Sequence, residues 1–478
     1  CIERDCVIRS TQYFSSSKRE GDILIVTVTK DEYVDRGPGR PVIPDILRAE
    51  NVGALACVDY VAINPYETAV ETILQLKPDI YAKGEEFAQL KDDAGKIVRE
   101  TKAIQDIGGR MHFTTGIQYS SSAFINNNEA LTVYTKEARS FLSNFRNKYT
   151  SEHINDQLKS LKSLEVLVVG ETIIDEYHYC KPLGKAPKEN MITYQFLYDE
   201  RFAGGAAATA NHIAGFCDNV HLVSLLGKEE SDYSFICKNL KPNIIKTFHS
   251  SDTKPTTKKR RGVDPVSFKK QFGQYFINDE PISSALEESI IRDLKKKIPT
   301  YDLVVVSDYG HGFITSPIIS LLCEKSKFLA INVQSNSSNM GFNLIDNYPR
   351  ADYFCIDHEE TRLAARDRFS DLQTVHEKIM KLGKYSKSAI TEGHKGSLTY
   401  SPLEGYCSIP VFSNHVIDTM GAGDAYFSLT TPCAAREFPM DMLGFIGNSA
   451  GALAVEIVGH RTSINPGSLY KFITTLLK

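Results

Sequence analysis

The sequence contains no apolar run near the roughly 18 residues that a helix needs to cross a bilayer, and its N-terminus lacks the apolar core of a secretory leader. No Cys-x-x-Cys pair occurs; the 10 cysteines stand singly, so packing thiols are expected rather than disulfides or zinc ligands. The 12 histidines never take H-E-x-x-H spacing, so no protein-held transition metal is expected. An excess of one charge is missing too. With 55 basic against 59 acidic residues the net charge is −4, and no field argues for nucleic acid or an anionic membrane as partner. The missing span and leader point to a cytoplasmic protein.

What is present suits globular folding: 478 residues, 42% hydrophobic and 24% charged, enough for two or three domains. One late stretch carries chemistry, Ile417-Asp418-Thr419-Met420-Gly421-Ala422-Gly423-Asp424-Ala425. Two glycines ahead of an Asp and an apolar run to Leu429 predict a tight turn into a helix whose first N–H groups lack partners and attract anions. Asp424 sits where those amides converge. A carboxylate there is expected to stay ionised and to take a proton from a hydroxyl attacking a phosphoryl group, with Gly421, Ala422 and Gly423 supplying the amides. Taken alone, Gly421 to Asp424 reads equally as a tight turn with an N-capping Asp.

The N-terminal part alternates short elements. Asp22 to Thr29, Tyr60 to Ile63 and Asp79 to Ala82 read as strands, with helices over Ile46 to Leu55 and Thr68 to Leu76, which predicts βαβ units in a doubly wound sheet. Three loops carry polar detail: Gly37-Pro38-Gly39-Arg40-Pro41, Lys83-Gly84 and Tyr119-Ser120-Ser121-Ser122. Each alone is an ordinary loop. In this order they resemble the cytidylyltransferase-like nucleotidyltransferases, from Ser15 to Asn126. That family opens on a strand and an H-x-G-H motif; here Val7 and Ser10 stand at the two His positions and the chain begins at Cys1, so a partial unit is expected. The resemblance implies nucleotide binding by Arg40, Lys83 and Ser121.

Helices over Thr135 to Lys148 and from Ser151, with Ser151 as N-cap and Ile154, Leu158 and Leu161 on one stripe, predict a packed connection. The expected domains are residues 1–130, a helical linker at 131–163, and 164–478.

The larger unit begins with a buried strand, Val166 to Asp175, whose terminal carboxylate lies where open α/β sheets bind ligands. Phe202-Ala203-Gly204-Gly205-Ala206 with Asn211 permits close backbone approach. Asn190 to Tyr198 and the run Lys258-Lys259-Arg260-Arg261 read as strands of a small lid; the basic run is either a grip on a substrate phosphate, through Lys259 or Arg261, or a solvated edge strand. Leu303 to Asp308 is another strand with an acidic end, and His311 reads as a loop histidine.

These motifs together resemble the PfkB/ribokinase sugar kinases, and in texture their heptose-phosphate branch. The resemblance implies a ribokinase-like α/β fold with a β lid, ATP and Mg²⁺ as cofactors, and phosphorylation of a sugar or sugar phosphate hydroxyl. It implies Asp424 as general base with Gly421, Ala422 and Gly423. It also implies acceptor contacts from Asp175, Gly204, Gly205, Asn211, Lys259, Arg261 and Asp308, and nucleotide contacts from Thr419, Gly393, Gly396 and Asn448. Asp357 and Glu360 match the family's N-x-x-E motif with Asp for Asn, which implies that Glu360 orders water around Mg²⁺. Fusion to a nucleotidyltransferase resembles the bifunctional enzymes of nucleotide-sugar synthesis. A nucleotidyltransferase and a non-catalytic binding protein remain the alternatives, and whether the chain forms a homodimer is left open.

Overall fold

A computed structural model describes residues 10–34, 38, 40–84, 96–114, 134–413 and 415–478. The chain divides into two compact units, residues 1–135 with 467–478, and residues 136–466. Among the described residues no helix is long and apolar enough to cross a membrane, and the cysteines are free.

In the first unit α1 (Ser10–Lys18), β1 (Ile25–Thr29), α2 (Asp45–Gly53), β2 (Tyr60–Asn64), α3 (Val70–Leu76), β3 (Ile80–Gly84), α4 (Lys96–Asp106) and β4 (Arg110–Thr114) alternate. The order is α/β, as the apolar runs imply. The doubly wound sheet expected here is found as two parallel pairs among the described residues, β1 with β2 and β3 with β4. Each pair has its own apolar cluster, Phe14, Val26 and Val52 for one, Ala69, Ile73, Ala103 and Ile104 for the other.

The second unit opens with α5 (Lys136–Arg146) and α6 (Ser151–Ser160). The N-cap of α6 is Thr150 and not Ser151: its hydroxyl accepts from the amide of His153 at 3.2 Å. The core is a nine-stranded sheet. Its strands are β5 (Glu165–Gly170), β8 (Asn219–Leu226), β9 (Ile244–Ser250), β12 (Leu303–Asp308), β13 (Leu329–Val333), β14 (Arg350–Asp357), β15 (Lys384–Thr391), β16 (Ser397–Ser401) and β17 (Gly405–Ile409). They lie in the order β17-β16-β15-β14-β13-β12-β5-β8-β9, parallel except at β16 and β17. The chain runs outward from β5 to β9 and then resumes at β12 on the other side of β5. The β5/β12 boundary is therefore the topological switch point, where open α/β sheets bind ligands. Both strands are apolar throughout their interiors because both faces are covered, and Leu167, Val169, Val304 and Val306 are fully buried.

A second sheet of four strands, ordered β11-β10-β6-β7, is built from β6 (Thr172–Lys185), β7 (Ile192–Gly205), β10 (Thr257–Val263) and β11 (Lys270–Phe276). It is the lid expected from the sequence, with one change. The apolar run from Val166 to Asp175 is two strands in two sheets, broken at Glu171, so Asp175 lies on the lid strand β6 and not at the end of a core strand. The remaining helices are α7 (Ala206–Ile213), α8 (Glu230–Asn239), α9 (Ser284–Lys297), α10 (Ser316–Lys325), α11 (His358–Ala365), α12 (Leu372–Met380), α13 (Ala422–Ala435), α14 (Met440–Ala454) and α15 (Pro466–Leu476).

Candidate active site

Helix α13 starts at Gly421, whose φ of +82° suits a residue without Cβ, and no side chain caps it. No side chain takes up the first amides of the helix, and an ideal Cβ on the exposed Gly423 would meet no atom within 4 Å. Thr419 is exposed just before it, and its carbonyl accepts from the amide of Ala422 at 3.4 Å. Asp418 anchors the turn from beneath. One of its oxygens accepts from the Tyr177 phenol at 2.7 Å and the Gly459 amide at 2.9 Å, the other from Met420 N–H and the Lys270 ammonium. Burial would raise its pKa, but these donors hold it below the ordinary Asp value.

Asp424 points inward from the first turn of α13. Its Oδ1 accepts from the Tyr309 phenol at 3.1 Å and from Gln334 Nε2 at 3.3 Å, while Oδ2 lies 3.5 Å from Nε2 of His460. The expectation from the helix terminus was a carboxylate held firmly ionised. Burial instead pushes its pKa upward, against His460, Tyr309 and Lys259. A base raised in this way is closer in pKa to the proton it must accept.

Asp175 faces the same place from β6. Its Oδ1 accepts from Arg261 at 2.5 Å and its Oδ2 is 3.8 Å from His460 Nε2. Strand β10 pairs with β6 in a register that sets Lys259 opposite Asp175 and Arg261 opposite Tyr177. Alternation divides the four basic residues between two faces. Lys259 and Arg261 turn toward the site, and the Lys259 ammonium lies over the rings of Tyr275 and Tyr309 at 5.8 and 5.6 Å. Lys258 reaches Asp232 at 2.8 Å and Arg260 reaches Glu176 at 2.9 Å on the other face. Since β10 has a neighbour on each side, the edge-strand alternative for this run does not apply. Burial pushes the Lys259 pKa down, partly offset by Asp175.

Gly204 and Gly205 end β7. An ideal Cβ on Gly204 would lie 2.1 Å from Asp175 Oδ2, so only glycine leaves this carboxylate its place. Asn211, expected beside the acceptor, is tied elsewhere: its amide donates to the carbonyl of Asn239 and accepts from the amide of Lys241. Asp308, also expected there, is buried, and its carboxylate accepts from Gly310 N–H, Asn343 Nδ2 and the Tyr348 phenol at 2.6 Å. It shapes the loop after β12. Glu171, given no role from sequence, does the same, accepting from the amides of Tyr309, His311 and Phe313. Burial and the neighbouring Asp308 push its pKa up to about 8. His311 bonds Asp279 at 2.7 Å, and burial pushes its pKa down to about 4, so it is a neutral loop residue at neutral pH.

Gly393 and Gly396 bracket the turn after β15. An ideal Cβ on Gly393 would meet nothing within 4 Å, whereas at Gly396 it would strike the Ile409 carbonyl at 2.0 Å. Asn448 on α14 donates to the carbonyls of Ile409 and Pro410, fixing the strand that Gly396 packs on. Glu360 and Asp357 form a capping box at the start of α11: Asp357 accepts from the amide of Glu360 at 2.8 Å and Glu360 from that of Asp357 at 2.9 Å. The other Glu360 oxygen accepts from Ser335 N–H at 3.0 Å, and burial pushes its pKa up to about 8.

In the first unit, Lys83 pairs with Glu100 at 2.8 Å, and Arg40 precedes Pro41 through a cis peptide bond. Ser121 lies outside the described residues.

The sequence reading missed His460, Tyr309, Gln334 and Glu171 as site residues. Glu171 lies within the run from Val166 to Asp175 and Tyr309 directly follows Asp308, both next to strand ends, where polar residues at a switch point are worth reading. His460 follows no local pattern.

A helix start with no side-chain cap, a largely enclosed carboxylate in its first turn and a lid carrying cations suit a phosphotransferase-type α/β site. Residues 163–466 match the pfkB family of carbohydrate kinases, and residues 11–127 the cytidylyltransferase-like family. The chain belongs to the pfkB family. It is 24% identical over 305 residues to the bifunctional protein HldE of Citrifermentans bemidjiense, covering 63% of this chain and 61% of that protein. With the bifunctional protein HldE of Campylobacter jejuni it shares 25% over 299 residues, covering 62% of each. The alignments thus span about three fifths of those relatives. Phosphofructokinase-2 of Escherichia coli, solved with substrates and products, shares the fold, with a TM-score of 0.52 at 12% identity, covering 65% of this chain and 99% of that one.

Proposed function

We propose that the chain transfers the γ-phosphoryl group of ATP to a hydroxyl of a sugar that already carries a phosphate, of heptose-phosphate type, in the supply of nucleotide-sugar precursors. The observation that carries this reading is the convergence of Asp424 and Asp175 on one imidazole, with Arg261 bonded to Asp175 and Lys259 beside it. Asp175 orients the acceptor, Asp424 takes the proton of the attacking hydroxyl, and the amides from Gly421 to Gly423 hold the transferring group. Lys259 and Arg261 give the acceptor phosphate its counter-charge. The nucleotide is placed along Gly423 and Gly393, where a Cβ would meet no atom within 4 Å.

Mg²⁺ would neutralise charge on the ATP oxygens. Glu360 suits a place behind its waters and not direct ligation, because each oxygen already accepts a backbone amide and keeps one lone pair for water.

A second copy of the chain is the partner we propose for the lid hairpin, where Leu183, Ile192, Phe196 and Tyr198 are each more than half exposed on strands β6 and β7.

The test is ADP release from ATP across a panel of hexose and heptose phosphates, with Asp424→Asn alongside. Acceptor-dependent release that collapses in the variant is expected; unchanged turnover in Asp424→Asn would remove the base and the reading with it.

A further inference from the structure

Two carboxylates that must both work ionised repel each other across a small buried space. Here the group between them is His460. Its side chain is 6% exposed, and Nε2 stands 3.5 Å from Asp424 Oδ2 and 3.8 Å from Asp175 Oδ2, ion-pair separations longer than a direct hydrogen bond. The ring occupies a slot that the two glycine motifs leave empty. An ideal Cβ on Gly421 would lie 2.7 Å from His460 Cε1, and one on Gly204 3.3 Å from His460 Cδ2. The backbone behind the ring is fixed as well: Gly459 N–H donates to Asp418 at 2.9 Å, and Arg461 N–H closes a turn onto Val458.

We infer that His460 is a positioning residue that couples the acceptor-holding carboxylate of Asp175 to the proton-accepting carboxylate of Asp424, allowing both to be charged while the acceptor is gripped. The inference rests on the kinase reading above. It also bears on the two glycines: a Cβ at 421 would strike the ring itself, and one at 204 would strike the Asp175 carboxylate that the ring faces.

The charged and titratable groups around the ring fit this role. Asp175 comes from β6, Asp424 from α13 and His212 from α7, while Lys259, Arg261 and Tyr309 adjoin the carboxylates. Burial pushes His212 down to about 3, and its Nδ1 accepts from Ile464 N–H, so it is neutral and adds no positive charge beside the ring. Asp175 raises Asp424 and His460 lowers it, the opposition that the coupling requires.

The experiment uses the full chain and the variants His460→Gln and His460→Ala, with kcat and acceptor KM followed against pH. Both variants are expected to move the acidic limb of kcat upward by about one pH unit, about a tenfold loss on that limb. Restoration of the wild-type limb by Gln, which fills the slot without charge, would overturn the inference in favour of packing alone. If wild type turns over none of the acceptors, the kinase reading fails separately. The coupling is then read on the unliganded protein from the melting temperatures of His460→Gln, Asp424→Asn and the double variant at low salt. A double shift smaller than the sum supports the inference, and additive shifts overturn it.

Discussion

The phenol of Tyr309 donates to Asp424 Oδ1 at 3.1 Å, so a residue from the loop after β12 holds the ionised form of a carboxylate that begins α13. Burial pushes the Asp424 pKa up, and this bond is among the contacts that resist the push. Tyr309→Phe removes the donor and keeps the ring. With the sign worked through, the carboxylate becomes harder to ionise, and the acidic limb of kcat/KM moves to higher pH. One hydrogen bond of about 1 kcal/mol corresponds to somewhat under one pH unit. A pH–rate profile of the variant measures it.

Asp424→Asn keeps the shape and loses the base. General-base catalysis contributes about a hundredfold or more, so kcat should fall by at least that factor with little change in nucleotide affinity. Steady-state ADP release and calorimetric nucleotide binding separate the two.

The Arg261–Asp175 pair is largely buried, with side chains 11% and 6% exposed. Breaking it from one side leaves a buried carboxylate without its hydrogen-bonded cation, a loss of up to about 3–5 kcal/mol that Lys259 and His460 offset in part. Arg261→Ala should therefore lower stability in chemical denaturation as well as raise the acceptor KM. Arg261→Lys should recover only part, since an ammonium lacks the planar fork.

Glu360 gives a stability prediction with a definite sign. Its folded pKa is pushed up to about 8 from an ordinary 4.5, so the folded chain binds a proton more tightly than the unfolded one between those values. Its contribution is fully present below about 4.5 and is lost as pH rises through about 8. Glu360→Gln, which can still accept in the capping box, should flatten the fall of unfolding free energy over that window by up to about 1.4 kcal/mol per pH unit. Denaturation midpoints from pH 5 to 9 test it, and Mg²⁺ stimulation of turnover should weaken in the same variant.

The lid hairpin predicts concentration-dependent self-association. Phe196→Asp should shift the sedimentation coefficient toward that of the monomer without changing the far-ultraviolet circular dichroism.

Local patterns made much of this legible. The apolar runs of β5 and β12, the glycines around Asp424 and the polar/aromatic texture of the lid each follow from short-range rules, and the structure has elements at those places. Pairing partners were not legible. Gly170-Glu171 interrupts the apolar run from Val166 to Asp175, but nothing local says that the chain changes sheets there. Asn211 and Asp308 were assigned to the acceptor because polar residues near glycines and strand ends suit ligands; the structure uses their hydrogen-bonding groups on loops instead. Glu360 shows two meanings in one spacing, because D-x-x-E also satisfies a helix start. His460 enters through a turn far along the chain, and only tertiary packing brings it to the carboxylates.

The alternation within β10 makes the site depend on counting as much as on charge. Adding one residue between Lys258 and Lys259 would leave four cations in sequence and yet put the new side chain in the inward place of Lys259, turning Lys259 outward to the place of Arg260 beside Glu176. A chain with unaltered basic content would thus weaken its hold on an anionic acceptor through a frame error of a single position.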